Sequence, residues 1–114
     1  MGIGRQKAKA ELLPGTLEML ILKCLTSSPM HGYGIAQRIQ VASNDVLTVG
    51  EGSLYPALQR MLLNRWIEAE WGQSENNRRA RYYRLTKAGR KQLGIEEQNY
   101  NRALEAIARV META

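Results

Sequence analysis

At 114 residues the chain has room for one domain with its own core, and none for a catalytic domain beside a separate ligand-binding domain. Its apolar fraction of 44% suits a globular protein, and no apolar run approaches the roughly 20 residues of a membrane span, so no membrane association is expected. A net charge of +5 favours a polyanionic partner such as nucleic acid, while one cysteine, Cys24, excludes both a disulfide framework and a cysteine metal site.

Residues 1–11 read as a flexible basic segment without the apolar stretch of an export signal, which together with Cys24 points to the reducing cytoplasm. Gly2 does not begin a myristoylation motif, because Gln6 stands where Ser or Thr is needed. Structure is expected from Leu12. Leu17, Leu20, Ile21, Cys24 and Leu25 recur at helical spacing until Ser27-Ser28-Pro29. Met19 and Leu22 lie on the other side, so this first helix is apolar nearly all round and calls for a second packing surface, which a partner subunit can supply.

A second helix is expected over Gly32 to Ala42, with Tyr33, Ala36 and Ile39 inward, closed by Ser43-Asn44-Asp45. Val46 to Val49 reads as extended. Gly50 to Ser53 then introduces a third helix with Leu54, Ala57, Leu58, Met61 and Leu62 inward and Pro56 near its first turn, where a missing amide hydrogen costs little. Three short helices within about fifty residues have the rhythm of a helix-turn-helix unit.

The period then changes to two. Ile67, Ala69 and Trp71 alternate with Glu68 and Glu70, and Arg81, Tyr83 and Leu85 with Tyr82 and Arg84, across the turn-prone loop Gly72 to Asn77. A hairpin directly after a helix-turn-helix is a wing. Thr86 is a good N-cap for a final helix from about Lys87 to Glu112, along which Leu93, Glu97, Tyr100, Leu104, Ile107 and Met111 form a heptad seam broken only by Glu97. The expected fold is therefore mainly α with a small β-hairpin: a winged helix-turn-helix over 12–86 and a dimerisation helix over 87–114.

The outer face of the third helix presents Ser53, Tyr55, Gln59 and Arg60, residue types that bond base edges and phosphates in a major groove. Arg78, Arg79, Arg81 and Arg84 crowd the hairpin. Such density is electrostatically costly without an anion; Arg78 and Arg79 can reach phosphates or the minor groove, whereas Arg81 and Arg84 must point to opposite faces of their strand. The expected duplex-binding set is Ser53, Tyr55, Gln59, Arg60, Arg78, Arg79 and Arg81. The expected dimer interface is Met19, Leu22, Leu93, Tyr100, Leu104, Ile107 and Met111. His31 has no ligating or catalytic neighbours in the sequence and reads as a structural cap ahead of the second helix, and Cys24 as a buried small hydrophobe. No acyl-transfer, phosphate-loop or metal signature is present, so no enzyme, cofactor or metal is expected.

Several ordered motifs resemble one family, the PadR transcriptional regulators, over nearly all of Leu13 to Leu93. Gly15-Thr16-Leu17-Glu18 with Leu20-Ile21-Leu22 resembles its first helix, Pro29-Met30-His31-Gly32-Tyr33-Gly34-Ile35 the start of its second, and Gly52-Ser53-Leu54-Tyr55-Pro56-Ala57-Leu58 its recognition-helix signature. Tyr82-Tyr83-Arg84-Leu85-Thr86 with Gly89 resembles the second wing strand and its exit. The resemblance implies a cytoplasmic repressor that binds a palindromic operator in double-stranded DNA as a homodimer, often released by a small-molecule effector. Where that family has Gly at the end of the third helix, this chain has Asn64-Arg65, so Asn64 or a modified turn must supply the left-handed cap, and Leu63 should point outward. Trp66, Trp71 and Tyr100 are the candidate lining of an effector pocket. The alternative function is a winged-helix adaptor that binds a protein partner without specific DNA binding, which the wing arginines oppose.

Overall fold

A computed structural model describes residues 15–113, so the segment expected over 1–11 and the start expected at Leu12 fall outside the described residues. The first helix, α1 (Thr16–Cys24), follows Gly15, whose φ of +85° is a left-handed conformation that suits glycine. Leu17, Met19, Ile21, Leu22 and Cys24 are all buried. The second packing surface demanded by this all-round apolar helix comes from its own chain, since α1 packs against the next two helices and also against the last. Met19 and Leu22, expected at a dimer interface, are thus enclosed by their own subunit.

A two-residue strand, β1 (Met30–His31), comes next and pairs antiparallel with the later strand β3 (Arg79–Leu85) through Met30 opposite Tyr83 and His31 opposite Tyr82. It was not anticipated, because two residues are too few to show a period. The His31 ring caps α2 (Gly32–Ala42), its Nδ1 accepting the Gly34 N–H at 3.0 Å, which is the structural role expected of it. The buried line of α2 is Gly32, Ile35 and Ile39, and Tyr33, expected inward, is 69% exposed. The buried line runs through Gly32, which packs closely beneath the Tyr55 ring, a Cβ there coming 2.9 Å from the phenol oxygen, and Tyr33 falls outside that line.

The third helix, α3 (Glu51–Leu63), buries Leu54, Ala57, Leu58 and Met61. It begins earlier than its apolar pattern suggests, which places Pro56 in the second turn rather than the first. The carbonyl that Pro56 cannot bond belongs to Gly52, an exposed residue that water can reach. The helix ends in a Schellman turn in which Arg65 N–H donates to Leu62 and Trp66 N–H to Met61, both at 3.0 Å. Arg65, at φ 61°, is the left-handed residue, while Asn64 stays right-handed. Leu63 points outward as expected.

Strand β2 (Ile67–Gln73) pairs with β3 from Ile67 opposite Leu85 to Gln73 opposite Arg79, giving a sheet of order β1-β3-β2. The strands run two residues further than their alternation suggested, and Gly72 and Gln73 belong to the ladder. A turn closed by Asn77 N–H to Ser74 (2.9 Å) and Ser74 N–H to Arg78 (2.8 Å) joins them, with Asn77 left-handed at φ 61°.

Thr86 ties three elements together. Its N–H donates to the Trp66 carbonyl (3.1 Å), its hydroxyl lies 2.8 and 2.9 Å from the Arg65 and Trp66 carbonyls, and its Oγ1 accepts the Gly89 N–H (3.0 Å) to cap α4 (Lys87–Glu112). At Gly89 an added Cβ would fall on the Trp66 carbonyl oxygen, so the first turn of α4 lies directly on the α3–β2 connection. Leu93 completes the core with Ile21, Leu22, Ile35, Leu54, Leu58, Met61, Ile67 and Tyr83. From Gly94 onward α4 is exposed apart from half-buried Glu96, and it extends the molecule to 54 Å in its long dimension. No helix among the described residues is long and apolar enough to cross a membrane.

Candidate nucleic-acid interface

Three elements converge on one open groove of about 800 Å³. The start of α2 contributes Tyr33 and Gln37, α3 contributes Tyr55, and the hairpin contributes Trp71, Arg79, Arg81 and Tyr83. The convergence follows from packing: β1 pins the start of α2 to β3, while the Gly32–Tyr55 approach holds α3 against α2. The polar outer line of α3, Ser53 and Gln59, is exposed beside half-exposed Tyr55.

Arg60 departs from the expected set. Its Nε and Nη2 donate to the same carboxylate oxygen of Glu18 on α1, at 3.0 and 2.8 Å, and the Glu18 side chain is only 15% exposed. The guanidinium links α1 to the last turns of α3 through a surface ion pair. It does not stand with Ser53 and Gln59 as a free reading group. The two partners are 42 residues apart, so a face read from α3 alone cannot reveal the pairing.

The arginines of the hairpin divide by strand face. Residues 67, 69, 71 and 73 share a face with 79, 81, 83 and 85, and the alternate residues share the other. On the first face, Arg79 lies 4.4 Å from the Trp71 ring centroid and Arg81 lies 5.9 Å from that of Tyr83. On the second, Arg84 bonds Glu68 (2.7 Å) and Glu70 (2.8 Å), and these carboxylates hold its guanidinium protonated more firmly than usual. Arg81 and Arg84 therefore point to opposite faces as expected, and the strand positions that face the groove carry Arg79 and Arg81 and no acid, while Glu75 of the turn also lines the groove. Arg78 is exposed where the turn meets β3. Burial pushes the Tyr83 phenol up, an effect that Arg81 partly offsets.

The three aromatic residues suggested as a pocket lining do not come together within one subunit. Trp66 packs against the core at the α3–β2 connection, Trp71 lines the wing groove, and Tyr100 stands on the exposed part of α4, two turns beyond Leu93. Tyr100, Leu104, Ile107 and Met111 do form the exposed apolar stripe that the heptad seam predicts, whereas Leu93 belongs to the subunit core. Tyr33, Gln37 and Tyr83 are groove residues outside the expected sets; for Tyr33 the Gly32-Tyr33-Gly34 setting, which leaves the tyrosine flanked by residues without side chains, was the available signal.

Residues 21–95 match the transcriptional regulator PadR-like family. Solved structures agree in fold. A transcriptional regulator from Clostridium thermocellum superposes with a TM-score of 0.77 at 25% identity, covering 83% of this chain and 92% of that one. A PadR family transcription regulator from Clostridium difficile gives 0.71 at 29% identity over 85% of this chain and 99% of that one. A PadR-like transcriptional regulator from Bacillus cereus gives 0.75 at 26% identity over 92% and 100%. The four helices and three-stranded sheet are those of a winged helix.

Proposed function

We propose that this chain, which belongs to the transcriptional regulator PadR-like family, is a cytoplasmic homodimeric repressor that binds a palindromic operator in duplex DNA. The observation that carries the reading is the groove that Tyr55 of α3 lines together with the basic face of the wing. A helix of this kind enters the major groove, and the adjacent hairpin then lies along the flanking backbone, where Arg78, Arg79 and Arg81 meet phosphates. Ser53, Tyr55 and Gln59 supply hydroxyl and amide groups to base edges and phosphates. Residues 12–86 form the reading unit, and the arm of α4 beyond Leu93 brings two such units together through Tyr100, Leu104, Ile107 and Met111.

Two-fold symmetry sets the recognition helices about 34 Å apart, or a multiple of this, which is the spacing of palindromic half-sites. A small-molecule effector that loosens binding belongs to the same reading, with Trp71 and Tyr100 as surfaces that a ligand between subunits could meet.

Selection of bound sequences from a random duplex pool tests the proposal. A palindromic consensus with steeply salt-dependent affinity is the expected outcome. No binding at low salt would instead favour a protein-interaction adaptor.

A further inference from the structure

The register pairs Trp71 with Arg81 and Gln73 with Arg79, so Trp71 and Arg79 are diagonal rather than direct neighbours on one face of the hairpin. Diagonal positions stand within reach of long and aromatic side chains. With its guanidinium 4.4 Å from the indole centroid, Arg79 runs back from the wing tip toward the body of the domain instead of out into solvent. Trp71 is 58% exposed, so core burial does not account for an indole at this position. Among the described residues Arg79 makes no ion pair, although Glu68 and Glu70 on the same hairpin both engage Arg84 across the other face.

The strands beneath this pair are braced. The Tyr82 ring covers Gly72, where a Cβ would come within 3.1 Å of it, and the Tyr82 hydroxyl donates to the Gln73 carbonyl at 2.9 Å. The backbone that carries the indole is therefore braced within the hairpin.

We infer that Trp71 is a positioning residue for duplex binding, its indole face holding the Arg79 guanidinium over the groove where a phosphate of the strand between wing and α3 passes. This rests on the duplex-binding function proposed above. A guanidinium stacked by its face keeps its N–H edge for a phosphate, and an arginine already held in place loses less rotamer freedom on binding than one free in solvent.

The test is a double-mutant cycle on the full chain with its selected duplex. Trp71→Ala should weaken binding roughly two- to fivefold, the range of an exposed cation–π contact, and should cost nothing further in an Arg79→Ala background. Trp71→Phe, which keeps an aromatic face, should restore binding. Trp71→Leu, which keeps only apolar bulk, should not. Melting temperatures should fall by no more than the few degrees that loss of one exposed contact accounts for. Unchanged affinity in Trp71→Ala, additive losses in the double variant, or rescue by leucine would overturn the inference while leaving the function intact. If the unaltered chain binds no duplex, the function and this inference fall together.

Discussion

Charging the exposed stripe of α4 tests the dimer most directly. Leu104 and Ile107 are 46% and 53% exposed in the subunit, so about half of each side chain remains for a partner to bury. Full burial of an aliphatic side chain is worth roughly 1.5–3 kcal/mol, and half of that gives about 1 kcal/mol at each site. A two-fold interface contains each site twice. Replacing both residues by glutamate should therefore remove about 4 kcal/mol of apolar burial, on the order of a thousandfold in the dissociation constant, before the penalty of placing carboxylates there is counted. Both positions lie beyond Leu93, the last buried residue of α4, so the winged unit should stay folded, its melting temperature lowered only by the loss of partner binding. Size-exclusion chromatography with light scattering should show a monomer at micromolar concentration. Operator affinity should fall toward the weak non-specific level of one wing, because the paired spacing of recognition helices is lost. A variant that remains a dimer and holds its operator as tightly as wild type would refute the reasoning and place the interface elsewhere.

Gly89→Ala should lower the melting temperature by 10 °C or more in a circular-dichroism melt, since its Cβ would meet the Trp66 carbonyl oxygen and Leu85 Cδ1, and each kcal/mol lost in a domain this size costs roughly 4–8 °C. Arg60→Ala should leave the selected consensus unchanged and reduce stability in denaturant by at most about 1 kcal/mol, because the Glu18 pair is more than half exposed on the arginine side. Arg79→Ala should shallow the slope of log affinity against log salt by about one unit if it neutralises one phosphate; an unchanged slope and affinity would remove it from the contact set. Burial pushes the Cys24 thiol up, with Arg38 opposing weakly, so the native protein should react slowly with a thiol reagent at pH 8 and rapidly once unfolded. The same shift means that the stability conferred by the neutral buried thiol is present below its ordinary pKa and is lost as the pH rises through the raised value. Stability measured from pH 7 to above 9 should decline accordingly.

Local periodicity made most of this molecule legible before any coordinates. The apolar spacing in α1, α3 and α4, the alternation of β2 and β3, the N-cap at Thr86 and the cap at His31 each depend on residues within one or two turns of one another, and each stands in the structure. The seam from Tyr100 to Met111 was visible for the same reason, because a heptad repeat needs only its own helix. What the sequence could not decide is which surface each side chain finally meets. Met19 and Leu22 read as dimer surface until α4 is seen to cover α1. Arg60 reads as a recognition residue until Glu18 arrives from a helix 42 residues away. Four wing arginines look alike until strand register seats Arg84 between two glutamates and leans Arg79 on Trp71. Left-handed Arg65 and the two-residue strand β1 likewise exist because neighbouring elements compel them. Periodicity specifies elements because it is a short-range property of the backbone; the pairing of a charge or a ring is set by distances across the fold, and only the packed structure fixes those.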